Sequence, residues 1–199
     1  VDVAWLDATS DGDLDLGQGS IGGDLVARSN DGAISQSGAL YVGGTGTLDA
    51  GGGDIALDEA GNDFVGRVHL TGDATTIVDA NALALGDVDV AWLDAASQGD
   101  LLLGQGSIAG GLVARSNNGD IDQSGALSVG GTATLDAGDG DITLDAAGND
   151  FAGSVHLTGG GTTIVGTSVL TLASVDVTSL AATAATIRLG DDVSTSGGQ

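Results

Sequence analysis

The 199-residue sequence lacks cysteine, proline, methionine and lysine, and it has few aromatic residues. Without cysteine there is no disulfide framework to infer, so the redox compartment stays open. Four basic residues, all Arg, stand against 28 acidic ones, which gives a formal net charge of −24. Nucleic-acid binding requires clustered cations that neutralise phosphates, and an anionic membrane surface repels a chain of this charge. We therefore expect no nucleic-acid partner and, without a long apolar run, no membrane insertion.

The apolar residues that are present suit β-strands. They make up 41% of the chain and are mainly Val, Ile, Leu and Ala, interrupted by 37 Gly and by Asn, Asp and Ser. This mixture predicts short strands separated by turns, because no segment keeps a helical period. Aspartate supplies 27 of the 28 acids, which fits turns, since Asp hydrogen-bonds to neighbouring backbone. The negative charge favours solubility, with divalent-cation binding or adaptation to salt as alternatives.

The sequence repeats with a period of 87 residues. Repeat 1 (residues 1–87) and repeat 2 (residues 88–174) align without a gap, and 63 of the 87 pairs are identical. A partial, divergent third repeat spans residues 175–199. Self-similarity of this length predicts units that stack into one continuous solenoid. Such an array provides length and surface, whereas a catalytic site needs several different groups that converge once.

Turn residues divide each repeat into coils with three strand candidates apiece. In the first repeat we predict four coils: Val1–Gln18, Gly19–Leu40, Tyr41–Phe64 and Val65–Asp87. Coils of 18 to 24 residues predict an all-β, right-handed parallel β-helix of about nine coils. At ~4.8 Å per coil, the axial period would be roughly 19 Å.

The two repeats indicate which side chains face inward. Ile34 is retained as Ile121, while its neighbours Ala33 and Ser35 both change. Because strand side chains alternate between faces, the retained residues are predicted to fill the tube. The retained apolar positions are Leu14, Leu16, Leu25, Ile34, Leu40, Leu48, Ile55, Leu57, Phe64, Val68, Leu70, Ile77, Leu83 and Leu85. The orientation of Trp5, within DVAWLDA, stays open at this point.

Three segments resemble a known group of proteins. The runs SQSGALYVGGTGTLDAGGGDIAL, GNDFVGRVHLTG and DANALALGD resemble the strand repeats of filamentous-haemagglutinin-like adhesins and related large secreted repeat exoproteins. The resemblance is clearest over Gly19–Ser174. It implies a right-handed parallel β-helix, export through the outer membrane of a Gram-negative bacterium, and a role in surface attachment, biofilm or fibre formation. It implies no catalytic residues.

Motifs for catalysis or cofactor binding are absent. The sequence has no nucleophile elbow, phosphate-binding loop, zinc spacing or dinucleotide fingerprint. We therefore expect no enzymatic activity, no cofactor and no discrete metal site. Asp13, Asp49, Asp54 and Asp58 are predicted to form acidic stripes that bind divalent cations weakly and without fixed stoichiometry.

Two aromatic residues are candidates for contact with a partner. Trp5 and Trp92 occupy the same place in the two repeats, where an indole could stack on a sugar, pack against a neighbouring rod or fill the tube. Arg28 and Arg115 are predicted to form local ion pairs in their acidic surroundings.

The sequence thus predicts a structural, non-enzymatic segment of an extracellular bacterial filament or adhesin. The sequence begins and ends within the strand pattern and shows no capping unit, so we expect the solenoid to continue or to stack on further copies end to end. Neighbouring filaments and surface glycans are further candidate partners. Two alternatives remain: a glycan- or partner-binding module with rows of exposed Trp, and an acidic calcium-responsive surface protein.

Overall fold

The computed structural model describes residues 2–196, and every regular element in that range is a β-strand. Val1 and residues 197–199, at the outer bounds of the predicted first and third repeats, lie outside the described residues. No helix in this range is long and apolar enough to cross a membrane. The strands are β1 Asp2–Val3, β2 Leu6–Ser10, β3 Leu14–Asp15, β4 Gly19–Ile21, β5 Leu25–Ser29, β6 Ile34–Ser35, β7 Leu40–Val42, β8 Gly46–Asp49, β9 Ile55–Leu57, β10 Asp63–Phe64, β11 Val68–Asp79, β12 Leu83–Ser97, β13 Leu101–Leu102, β14 Gln105–Ile108, β15 Leu112–Ser116, β16 Ile121–Asp122, β17 Leu127–Val129, β18 Ala133–Asp136, β19 Ile142–Leu144, β20 Asp150–Phe151, β21 Ser154–Val165, β22 Val169–Thr183 and β23 Thr186–Thr195.

The chain winds as a three-sided β-solenoid in which every strand pairing is parallel. In the first coils, face 1 holds β1, β4 and β7, face 2 holds β2, β5 and β8, and face 3 holds β3, β6 and β9. Successive coils can be counted on face 3, where each residue pairs with the next. The stacked residues are Leu14, Ile34, Ile55, Thr75, Leu93, Leu112, Ala133, Val155, Leu172 and Leu189. The solenoid therefore has about ten turns.

The interior is a column of aliphatic side chains with two phenylalanines. The retained apolar residues point inward as predicted, and nearly all are buried, for example Leu48 at 1% exposed and Ile34 at 0%. Leu14 is half-buried instead, because it lies in the first level and is covered from one side only. The alternation therefore identified the core face correctly.

Glycine allows successive coils to touch at the corners. A Cβ at Gly32 would lie 2.2 Å from the carbonyl carbon of Gly12, and a Cβ at Gly53 would lie 2.1 Å from the carbonyl oxygen of Gly32. No side chain fits at such distances. The Gly12–Gly32–Gly53 column is thus a steric requirement of stacking turns on turns.

Aspartate side chains connect the corners of one coil to the next. The N–H of Ala33 donates to Oδ1 of Asp13 at 3.0 Å. In repeat 2, the N–H of Asp120 donates to Asp100 at 3.0 Å, and the N–H of Asp141 donates to Asp120 at 2.9 Å. Backbone donors at corners need such acceptors, because a turn interrupts the ladder. The same bridge between coils is made by Asp2, Asp24, Asp31, Asp54 and Asp141.

The 87-residue repeat does not contain a whole number of coils. Asp2 pairs with Ser20 on face 1, but its equivalent Asp89 pairs with Thr71 on face 2. The repeat therefore spans four full turns of the solenoid and one more of its three faces. Each repeat is rotated by about a third of a turn relative to the previous one and displaced by about 21 Å at ~4.8 Å per coil.

The total of about ten turns agrees with the predicted fold of about nine coils. The predictions of four whole coils per repeat and of an axial period of roughly 19 Å are wrong, because the repeat also includes one further side. The fourth predicted coil, Val65–Asp87, holds more than one turn, because the N–H of Ala80 already donates to the carbonyl of Asn62 at 2.7 Å. Coils can also be shorter than predicted, since Val68 pairs with Leu85, 17 residues on. Strands β11 and β12 pass around corners while remaining extended. Gly72 and Asp73 stand at a corner of β11 and Gly86 at a corner of β12, but the chain stays extended there instead of forming a separate turn.

We expect Leu48→Asp to unfold the solenoid. The substitution places an unpaired charge in the apolar interior and should lower the free energy of unfolding by at least about 4 kcal/mol. Thr47→Asp, on the outward side of the same strand, is the matched control and should change it by less than about 1 kcal/mol. Chemical denaturation monitored by circular dichroism measures both. Equal midpoints for the two variants would contradict the inward orientation of Leu48.

We expect Thr75→Val to stabilise the protein. The hydroxyls of Thr75 and Thr162 are buried and have no hydrogen-bond partner among the described residues. Replacing the unpaired hydroxyl by a methyl group of similar size should raise the free energy of unfolding by about 1 kcal/mol, and Thr162→Val should do the same. Thr76→Val, which alters an outward side chain, is the control. A loss of stability in both buried variants would show that these hydroxyls are satisfied in solution.

Candidate functional site

Both tryptophans point out of the tube. Trp5 is 67% exposed and Trp92 is 37% exposed, which settles the orientation that the sequence left open. Trp5 directly precedes β2 on face 2, and Trp92 directly precedes the face-3 segment of β12, Leu93–Ser97. An exposed indole beside an ordered strand offers a flat apolar surface with a polar N–H.

Trp92 is less exposed than Trp5 because it has a coil on each side, whereas Trp5 lies in the first described level. Trp92 follows Ala74 in its column and is followed by Gly111, because Leu93 pairs with Leu112. A Cβ at Gly111 would lie 3.0 Å from Nε1 of the indole, so the ring rests against bare backbone. In repeat 1 the equivalent of Gly111 is Asp24, whose Oδ1 accepts the N–H of Thr45 in the following coil.

An ion pair lies beside each tryptophan. Nη1 of Arg28 is 3.2 Å from Oδ1 of Asp7, and Nη1 of Arg115 is 2.7 Å from Oδ1 of Asp94. The predicted local pairing of both arginines is confirmed. Each pair joins two adjacent coils and remains substantially exposed, so it contributes little to stability and keeps guanidinium N–H groups available at the surface.

A shallow groove follows each ion pair along the strand. The first groove has a volume of about 260 Å³ and the second about 390 Å³, and their lining residues are equivalent in the two repeats. The second groove is lined chiefly by polar residues, namely Ser97, Gln98, Arg115, Asn117, Asn118 and Asp136. We call Trp5, Asp7, Arg28 and the first groove the first strip, and Trp92, Asp94, Arg115 and the second groove the second strip.

The two grooves differ in charge. Asp11 and Asp31 of the first groove are replaced by Gln98 and Asn118 in the second, so two carboxylates become amides. In the second groove, Nδ2 of Asn117 donates to Oε1 of Gln98 at 3.0 Å, which fixes both amides. The second strip thus has nearly balanced charge, whereas the first is acidic.

Left-handed backbone shapes the floor of each groove. Asp31 has φ of 61° and Asn118 has φ of 62°, in the region that Asp and Asn tolerate best among residues with a Cβ. In this conformation Oδ1 of Asp31 accepts the N–H of Gly52 at 2.8 Å, and Oδ1 of Asn118 accepts the N–H of Asp139 at 3.1 Å. These contacts hold the corner rigid beside the arginine.

The tryptophans do not form a row. Because each repeat is rotated by a third of a turn, Trp5 lies at the edge of face 2 and Trp92 at the edge of face 3. The prediction of exposed Trp rows is therefore wrong, since it assumed a whole number of coils per repeat. In the third repeat the equivalent position is Ser179, next to Leu180 on face 1.

The grooves themselves were not predicted from the sequence. Their asparagines, Asn30 and Asn117, are exposed and yet identical in the two repeats, although most differences between the repeats fall on exposed positions. That retention was the available signal. It could not show that these residues lie beside Arg28 and Arg115, because the contact joins neighbouring coils.

The acidic residues are stacked less regularly than predicted. Asp13 and Asp54 are exposed but are separated in their column by Ala33, whereas in repeat 2 Asp100, Asp120 and Asp141 are stacked without interruption. In residues 2–196 no three His, Asp or Glu side chains are placed to share a metal ion. Weak binding of divalent cations stays a prediction.

Neighbouring carboxylates change the pKa of Asp122 in repeat 2. Partial burial raises the pKa of Asp122 above its ordinary value, and the charges of Asp120, Asp100 and Asp145 raise this pKa further. A hydrogen bond with the side chain of Thr143 acts in the opposite direction. Repeat 1 has Ser35 at the position of Asp122, so this upward shift is specific to repeat 2.

The carboxyl group of Asp79 is fully buried. Asp79 is 0% exposed, and it accepts the N–H of Phe64 and the N–H of Asn81, each at 2.7 Å. Burial raises the pKa of Asp79, the two backbone hydrogen bonds lower it, and the charge of Asp63 raises it, with a net upward shift. Repeat 2 has Gly166 at this position, so the buried carboxyl is specific to repeat 1.

We expect the pH to change the contribution of Asp79 to stability. A raised pKa means that this contribution is fully present below the ordinary Asp pKa of about 4 and is lost as the pH rises through the higher value of the folded state. The free energy of unfolding of the wild type relative to Asp79→Asn should therefore fall between about pH 4 and pH 7. Denaturant titrations at several pH values measure it, with Asp58→Asn as the control for loss of one exposed charge. A difference that grows with pH would contradict the upward shift.

Comparison with models of protein families identifies the family of this chain. The family described as repeats of unknown function (DUF5649) matches residues 5–71 and 93–158, which is more than half of the sequence. The chain belongs to this repeat family. The two matches cover equivalent parts of repeats 1 and 2 and include Arg28, Arg115 and both grooves. No curated protein and no solved structure matches the chain.

Proposed function

We propose that this chain is a non-enzymatic structural rod of an extracellular bacterial filament or adhesin. The observation that carries the proposal is the unbroken face-3 ladder from Leu14 to Leu189, which crosses both repeat boundaries without a change of core. A solenoid built in this way can be lengthened by adding repeats, because each unit contacts only its neighbours. The resemblance to filamentous-haemagglutinin-like adhesins supports a place at the surface of a Gram-negative bacterium.

The last described level supports contact along the axis. Ile187 and Leu189 are 41% and 63% exposed, whereas Leu170 and Leu172, their partners one level earlier, are 1% and 0% exposed. One more coil above this level would cover both side chains. We propose that this coil comes from further solenoid, either in the same chain or in another copy stacked end to end.

Axial stacking can be tested with the 199-residue chain. We expect sedimentation and electron microscopy to show rods of constant width whose length grows with protein concentration in steps of roughly 40 to 50 Å, since ten levels at ~4.8 Å give that length. Leu189→Lys should shorten the rods, because it places a charge at the stacking surface. Val65→Lys is the matched control, since Val65 is 61% exposed on the side of the rod.

Two results would overturn the proposal. The first is a wild-type chain that stays a single rod at high concentration. The second is assembly that is lost in Val65→Lys and kept in Leu189→Lys, which would indicate lateral association instead.

A further inference from the structure

We propose that the two strips are separate binding sites for neutral polysaccharide, oriented a third of a turn apart so that one rod holds two glycan chains in different directions. This inference goes beyond the rod function, because a rod could serve as a passive spacer. It depends on three features of the described residues: the tryptophan surface, the polar groove beside it, and the rotation between repeats.

The second strip has the chemistry of a sugar site. One side of the Trp92 ring is supported by the backbone at Gly111, and the indole is 37% exposed. Its Nε1 lies on this side of the ring and donates no hydrogen bond among the described residues. A pyranose ring offers an apolar face for the indole and hydroxyl groups around its edge.

The polar partners lie at the right separation for several sugar units. Ala96, at the start of the second groove, is four residues from Trp92 along an extended strand, about 13 Å away. Between them lies the Asp94–Arg115 pair, and the groove adds the amides of Gln98 and Asn117. Planar donors and acceptors of this kind bind hydroxyl groups well.

Charge selects the class of ligand. The chain carries a formal net charge of −24, which disfavours anionic glycans and disfavours a second copy of the same acidic rod along its side. The second groove, with amides where the first has carboxylates, has no excess cation for an anionic group. A neutral polysaccharide avoids both conflicts. The more acidic first strip should bind the same ligand more weakly.

The rotation keeps the two sites independent. Trp5 stands beside Leu6 on face 2 and Trp92 beside Leu93 on face 3, about 21 Å apart along the axis. A straight glycan that lies along one face reaches one strip only. Tight binding through both sites by one chain is therefore absent, and the rod instead joins two chains.

The test uses the two tryptophans as reporters, because the chain contains no others. The probe is hydroxyethyl cellulose, a soluble neutral β-glucan, at protein concentrations where sedimentation shows single rods. We expect a change in tryptophan emission on binding, and a stoichiometry of two sites per chain. Trp5→Ala and Trp92→Ala should each keep one site, with the Kd of the remaining site within about twofold of its wild-type value. The double variant should bind at least tenfold more weakly.

Controls separate this proposal from its alternatives. Tyr41→Ala removes an exposed aromatic side chain outside both strips and should leave binding unchanged. Alginate, an anionic polysaccharide, should not bind.

A loss of more than tenfold in either single variant would indicate one glycan spanning both sites, and unchanged emission with hydroxyethyl cellulose would overturn the proposal. Self-association that requires the tryptophans would assign the strips to a second copy. Axial assembly is measured separately, so either proposal can fail alone.

Discussion

The structure depends on one constraint: each coil must return to a position directly over the previous coil. The main-chain donors and acceptors of a parallel strand are satisfied only by the strands above and below it. A coil that is too long must fold its surplus outward, and one that is too short must pass its corners in extended conformation. The coils of this chain show the second solution in β11 and β12, where a single strand serves two or three faces.

The corners carry most of the chemical specialisation that this constraint demands. Where the turn of one coil lies directly over the turn of the previous coil, their backbones are in contact. Gly12, Gly32 and Gly53 stack at such a corner, because a Cβ has no room there. Turns also leave N–H groups outside the ladder, and carboxylates such as Asp13 and Asp100 accept them from the next coil. The abundance of Asp and Gly thus has a structural cause, and the large negative charge follows in part from it.

The same constraint determines how the surface is distributed. A repeat of four coils and one further side places equivalent side chains on successive faces, so the rod has no single functional side. The strips at Trp5 and Trp92 illustrate this, with face 2 carrying one and face 3 the other. A repeat of four whole coils would have placed them in one line. A difference of one side, about seven residues, therefore decides whether a ligand meets a row or a set of separate sites.

The sequence by itself determined the β-solenoid class, the inward positions and the exposed character of the repeats' differences. These follow from local rules, since alternation in a strand decides which face a residue such as Ile34 occupies. The sequence predicted that Arg115 forms a local ion pair, but it did not identify Asp94 as the partner. Only the tertiary structure decided which residues lie above one another, because a glycine or aspartate such as Gly72 or Asp73 does not show whether the chain turns there or stays extended. That vertical register, summed over four coils, sets the rotation of each repeat and the grooves beside Arg28 and Arg115.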